Sequence, residues 1–218
     1  MDLRRLRFRL GLLAMLAVAA PAQARTITLT ADDCDQMAVI SARAPRLGWT
    51  AVQANTSAYS AENSLQMFPD TALLMRFPLD AIPKNHRITK AELTLPTNYV
   101  AGSPQVSVRR LVADWGIGVC HQYRRTHPEK VEWTQAGGRG ASTDRHNKDS
   151  AMFRFEKPGN HTVDVTEDIE LWYTKAVPNR GWILVIENQT GTFYAPSPYS
   201  PHWDLGKQWK LQITFEPK

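Results

Sequence analysis

Between Gly116 and Ser150 the chain concentrates the side chains best suited to gripping an anion. Six residues there are Lys or Arg (Arg124, Arg125, Lys130, Arg139, Arg145, Lys148), against four acids. A guanidinium meets a carboxylate or sulfate through parallel N–H donors. Arg124, Arg125, Arg139 and Arg145 are therefore candidate ligand contacts, and a uronic acid or a sulfated glycan is the matching ligand. The same segment holds His121, Tyr123, Arg124 and His127, the residue types with which a lyase would abstract a proton and neutralise a uronate. The plainer reading of both sets is a solvated basic loop. Cys120, His121 and His127 lie close in sequence but lack a second ligand pair at structural-zinc spacing, so no metal is assigned to them. No nucleophile elbow, zinc-protease helix, phosphate loop or dinucleotide fingerprint occurs in the chain, and catalysis is not expected.

A second set is aromatic. Asn188 to Gln208 carries Tyr194, Tyr199 and Trp203 among Pro196, Pro198 and Pro201. Flat rings stack on the faces of sugars, so these three join the candidate contacts; otherwise they cap an end of the fold. Trp115, Trp133, Trp172, Trp182 and Trp209 are expected to be structural, because aromatic rings bury large areas in cores. Asp32, Asp33 and Asp35 form a small acidic cluster with the oxygen ligands that a structural calcium takes. No other cofactor is expected.

The elements that would position these groups are strands. Residues 1–24 are set aside first: four arginines precede an apolar run from Leu10 to Ala20, and Ala22-Gln23-Ala24 offers a small-x-small cleavage site. This reads as a secretory signal peptide, too short to span a bilayer comfortably. It places the mature chain outside the cytoplasm, secreted, periplasmic or at the cell surface. The leader holds four Arg and one Asp, so of the overall +5 only +2 belongs to residues 25–218. A nucleic-acid partner loses its electrostatic support. Cys34 and Cys120, the only cysteines, are expected to pair in an oxidising compartment, with two free thiols as the alternative. Such a long loop would gain about 4 kcal/mol from closure.

From residue 25 onward, runs of period two recur between turn signals. Thr26–Thr30 opens the series, with weaker runs at Met37–Ile40 and Trp49–Val52. Leu73, Met75 and Phe77 alternate with Leu74, Arg76 and Pro78; Ala91, Leu93 and Leu95 alternate with Glu92 and Thr94. Between those two strands Pro78 and Pro83 forbid a helix and force a crossover. Val106–Leu111, Ala151–Phe155 and His161–Val165 follow. Gly181-Trp182-Ile183-Leu184-Val185-Ile186-Glu187 reads as a central strand covered on both faces, and Leu211, Ile213 and Phe215 close the series. One segment, from Thr166 through Ile169, Trp172, Tyr173 and Ala176, has helical spacing with Thr166 as its cap. Gly116–Ser150 and Asn188–Gln208 have no period and are read as loops. The expected fold is an all-β, jelly-roll-like antiparallel sandwich with one short helix.

The order of these pieces resembles the DNRLRE domain family. The resemblance lies in ALLMRFPLDAIPKNHRITKAELTLP, then Val106-Ser107-Val108, Asp114-Trp115, Val131-Glu132-Trp133-Thr134, Val163-Asp164-Val165-Thr166, Trp172, and Asn179-Arg180-Gly181-Trp182. It covers roughly residues 26 to 216. It implies a secreted β-sandwich related to carbohydrate-binding modules, some of which recognise acidic polysaccharides such as alginate. The chain departs from that pattern after the first of these tryptophans, where Gly116-Ile117-Gly118-Val119-Cys120 stands in place of an acidic residue. The expected function is non-catalytic binding of polysaccharide at the cell surface. The alternatives are a structural or protein-binding component of the envelope or matrix and, less favoured, a polysaccharide lyase.

Overall fold

Two strands that are apolar on both faces set the architecture of the computed structural model, which describes residues 23–43, 46, 48–50, 64–196 and 209–218. They are β5 (Thr71–Arg76) and β13 (Trp182–Ile186), paired side by side in a six-stranded sheet. Every residue of β13 is buried. Trp182, Leu184 and Ile186 face one hydrophobic cluster, while Ile183 and Val185 face another. Such a strand needs a layer above and a layer below. The sequence reading of β13 as doubly covered holds. β5 proves to be doubly covered as well, rather than buried on one face, because Leu73 and Met75 join the first cluster and Ala72 and Leu74 the second.

The layer on one side is a second sheet. β1 (Arg25–Thr30), β15 (Lys210–Pro217), β6 (His86–Thr97) and β12 (Gly159–Asp164) form it in that order. The larger sheet runs β11 (Ala151–Arg154), β8 (Gln105–Arg110), β13, β5, β2 (Gln36–Ser41), β3 (Gly48–Thr50). All pairings are antiparallel. Ala91, Leu93 and Leu95 of β6 and Leu211, Ile213 and Phe215 of β15 point inward and meet Met75, Leu184 and Trp182. This is the all-β sandwich expected from the alternation. β5 and β6 lie in different sheets, so the proline-rich stretch between them is a crossover between layers.

Helix α1 (Thr166–Tyr173) covers one end of the sandwich. Ile169 and Trp172 are buried, with the Trp172 ring 4.6 Å from that of Trp182. Thr166 is its first helical residue rather than its cap. The Thr166 hydroxyl accepts the Ala91 N–H at 2.8 Å, and Asp164 accepts the Thr166 N–H at 2.8 Å, which ties the helix to β6. Asp168 of α1 is buried against Trp182, whose Nε1–H it accepts at 2.6 Å, and pairs with Arg110 at 2.8 Å. Gly181, with φ +76, closes the turn into β13; a Cβ there would stand 2.1 Å from the Met75 carbonyl oxygen. Only glycine fits that approach.

The layer on the other side of the large sheet is the segment read as a loop. Leu111, Ala113, Trp115, Val119 and Trp133 are buried with Ala38, Ile40, Leu74 and Ile183 on the sheet's outer face. A two-stranded ribbon of β9 (Tyr123–Arg125) and β10 (Val131–Glu132) and two isolated bridges through Arg145 shape this cover. Its fastening is Asp144, 1% exposed, whose carboxylate accepts the N–H groups of Thr134, Gln135 and Gly140 at 2.9, 2.9 and 3.0 Å. The Asp144 carbonyl also accepts the N–H groups of Val112 and Ala113. All five tryptophans expected to be structural are buried.

Cys34 and Cys120 are both free thiols, so the expected disulfide does not form. Cys34 ends a 3₁₀ turn at Ala31–Asp33 and packs against the inter-sheet core. Cys120 is buried in the cover, where its carbonyl accepts the Trp133 Nε1–H at 2.8 Å. The large sheet stands between the two environments. Burial, then Asp35, Asp33 and Asp32, push the Cys34 thiol's pKa upward. The signal-peptide reading falls on residues 1–22 and two more at its end, almost all outside the described residues. No described helix is long and apolar enough to cross a membrane.

Candidate functional site

A small three-stranded sheet carries the most exposed aromatic residue among the described ones, Tyr99. Its order is β4 (Ser64–Met67), β14 (Thr192–Pro196), β7 (Tyr99–Ala101). Leu65, Met67, Phe193 and Ala195 turn inward and are buried. The alternation that buries them sends Gln66, Tyr194 and Tyr99, which are register partners across the three strands, to the opposite face. The rings of Tyr99 and Tyr194 are 4.8 Å apart and tilted by 34°. Phe68 meets Tyr194 edge-on at 6.5 Å, and the Arg43 guanidinium lies 4.4 Å from the Phe68 ring centre. Tyr99 is 45% exposed. Asp70 accepts from Arg43 Nε at 2.6 Å, which holds the cation over the ring.

This strip runs toward the cover. Arg139 donates from Nη2 to the Pro69 carbonyl at 2.8 Å, beside Phe68 and Asp70 in the chain. His121 is packed against Gly137 and Arg139. Burial and then the Arg139 charge hold the His121 pKa below its ordinary value, with Asp70 acting in the opposite sense. Arg43 is the cation over the Phe68 ring, and Arg139 reaches the chain at Pro69, one residue on.

The arginines expected to bind a ligand separate into three places. Arg124 and Arg125 line a polar cleft of about 440 Å³ with Asp114, Glu132, Thr134 and Arg180. Arg139 is bonded to the Pro69 carbonyl, next in the chain to Phe68. Arg145 is buried, on Glu187 at 2.9 Å, and its expected ligand role is corrected to a structural one. Glu187 also accepts from Ser107 at 3.0 Å and lies 3.5 Å from Arg109. Burial acts to raise its pKa, but Arg145, Ser107 and Arg109 together outweigh it and hold Glu187 below the usual carboxylate range. Arg125 is tied to Asp114 and Glu129, each at 3.1 Å.

Tyr194 stands on the outer face of the small sheet between Tyr99 and Phe68, while Tyr199 and Trp203 lie outside the described residues. The acids expected to hold calcium do not converge. Asp35 forks onto Arg76 Nε at 2.9 Å, and Asp33 accepts the Thr30 N–H at 2.7 Å. Among the described residues no three His, Cys, Asp or Glu side chains gather as a metal site. Of the four residues considered for lyase chemistry, the polar cleft takes Arg124 and leaves out His121, Tyr123 and His127. Lys130 lies over the Tyr123 ring at 5.6 Å.

Tyr99, Phe68 and Arg43 belong to these surfaces and were not named from the sequence, and Arg180 was named only as part of the family resemblance. The three-residue alternation Tyr99-Val100-Ala101 was the available signal for Tyr99. The others reach their places only through the pairing of β4 with β14 and the turn before β13. No family model and no curated protein matches this chain.

Proposed function

We propose that this chain is a non-catalytic polysaccharide-binding module of the cell surface or secreted space, as its resemblance to the DNRLRE family implies. The observation that carries the reading is the outward strip Tyr99, Tyr194, Phe68, with Arg43 over its end. Ring faces supply flat apolar area for the C–H faces of sugar units. Arg43 and Arg139 supply donors to carboxylates or hydroxyls at the rim. Aromatic contacts are worth about 0.5–1.5 kcal/mol each beyond burial. Two tyrosines therefore account for roughly a five- to 160-fold share of affinity, a scale suited to a polymer held at several points.

Affinity electrophoresis through gels containing alginate, pectin, a sulfated polymer or a neutral β-glucan tests this. At least one polymer should retard the wild-type chain, and Tyr99→Ala with Tyr194→Ala should abolish the retardation without lowering the melting temperature by more than a few degrees. Free migration of the wild type in every gel, or unchanged retardation of the double variant, would overturn the reading.

A further inference from the structure

Half-buried guanidiniums normally meet carboxylates. In the cleft over the end of the cover, two do not. Arg124 donates from Nη1 to the Asp114 carbonyl at 2.8 Å, and Arg180 donates from Nη1 to the Val112 carbonyl. Neither forms an ion pair among the described residues. The acids around them are committed elsewhere or exposed. Asp144 is engaged by three backbone amides, and Asp114 pairs with Arg125. Glu132 is exposed and has no partner among the described residues. Thr134 and Thr143 line the same cleft, and their hydroxyls have no described hydrogen-bond partner. Arg125 Nε is buried and unpartnered.

We propose that this cleft seats the sulfate ester of a sulfated sugar. The number of donor groups selects the anion. Each guanidinium is anchored by one N–H and keeps the rest of its five. Two such forks and two hydroxyls exceed what the two oxygens of a carboxylate can accept, whereas the three terminal oxygens of a sulfate ester can take them. The free Glu132 carboxylate selects charge. It repels a phosphate monoester, which carries close to two negative charges at neutral pH, more than a sulfate monoester, and it can accept a hydroxyl of the attached sugar. The cleft volume of about 440 Å³ suits one or two sugar units. The polysaccharide reading enters only through the sugar to which the sulfate is attached; the anion site stands on its own residues.

Calorimetric titration of the full chain with galactose 6-sulfate, galactose, galacturonate, galactose 6-phosphate and inorganic sulfate is the test. Galactose 6-sulfate should bind at least tenfold more tightly than each of the others. Arg124→Gln should weaken it at least tenfold. So should Thr143→Glu, which adds a carboxylate at an exposed position where no described contact is lost, and so guards against misfolding. Tyr99→Ala should leave monosaccharide binding unchanged even if it abolishes retention by polymers, which separates failure of this site from failure of the aromatic strip. Equal binding of galacturonate or the phosphate would overturn the proposal. So would inorganic sulfate binding as tightly as the sulfated sugar, no detectable binding of the sulfated sugar, or unchanged affinity in both cleft variants.

Discussion

Replacing Asp144 by asparagine keeps the shape of the side chain and removes its charge, and the consequence can be worked through bond by bond. Oδ1 accepts one backbone N–H, from Thr134, and Oδ2 accepts two, from Gln135 and Gly140. An asparagine places its oxygen best at the Oδ2 position, where two bonds survive as neutral ones. Its NH₂ then faces the Thr134 N–H, so a donor confronts a donor. Hydrogen bonds to a charged partner contribute about 1.5–3 kcal/mol and neutral ones about 0.5–1.5, while an orphaned buried donor costs about 1–3. Two bonds weakened by about 1–1.5 kcal/mol each and one orphan sum to about 3–6 kcal/mol, a large share of the roughly 5–15 kcal/mol that holds a domain together. Urea unfolding followed by tryptophan fluorescence should show a lower midpoint of that size. Amide exchange should accelerate first at Thr134, Gln135 and Gly140. Gly140→Ala should act in the same direction, since its Cβ would stand 2.6 Å from Asp144 Oδ2. A loss below about 1 kcal/mol with unchanged exchange at those three amides would refute the role given to Asp144.

Alkylation of the denatured chain without reductant should add two labels, one on each of Cys34 and Cys120, and dithiothreitol should leave the melting temperature unchanged. A disulfide-linked mass would refute the separation of the two thiols. Glu187→Gln leaves the buried Arg145 guanidinium without its charged partner and should cost about 2–4 kcal/mol, near the lower end for a broken buried pair because the Glu187 side chain is 27% exposed. Because the folded chain holds the His121 pKa below 6.5, the unfolded chain binds its proton first. Stability should therefore fall as pH drops below about 6.5, down to the folded pKa. His121→Gln should remove that part of the slope, which urea midpoints at pH 7.5, 6.5 and 5.5 would measure.

The sandwich was legible because its strands obey one rule. β1, β6 and β15 alternate, β13 is apolar without interruption, and the prolines at 78 and 83 mark the change of layer. What escaped was structure whose signal is shared between distant segments. β4, β7 and β14 contribute four, three and five residues. β4 buries two of its residues, β14 three and β7 none, and β14 ends on a proline in a segment read as a loop. Their common face, and the meeting of Tyr99 with Tyr194, exist only once the three are paired. The cover over the large sheet was hidden for a different reason. Trp115, Val119 and Trp133 are spaced by irregular turns, and the segment is held by side-chain-to-backbone bonds from Asp144 rather than by a ladder, so no period betrays it. For the same reason Arg145 looked like a free cation, while the acid that holds it, Glu187, lies 42 residues away in sequence.

The cover joins stability to the proposed recognition. A central strand apolar on both faces obliges the chain to place something over Ile183 and Leu74, and the segment that does so also carries Arg124, Arg139 and His121. The binding surfaces proposed at its margins are therefore only as well positioned as Trp133 is packed, whereas Tyr99 stands on a separate sheet. This asymmetry is measurable. Trp133→Ala removes a buried ring together with its hydrogen bond to the Cys120 carbonyl. It should cost about 3–5 kcal/mol, the range for deleting a large core aromatic, and weaken sulfated-sugar binding at the cleft in the same variant. Tyr99→Ala should change polymer retention with little effect on the unfolding midpoint. If Trp133→Ala destabilised the chain while leaving the cleft's affinity intact, the cover would be insulation for the sheet alone, and the cleft would owe its shape to the turns at Val112 and Arg180.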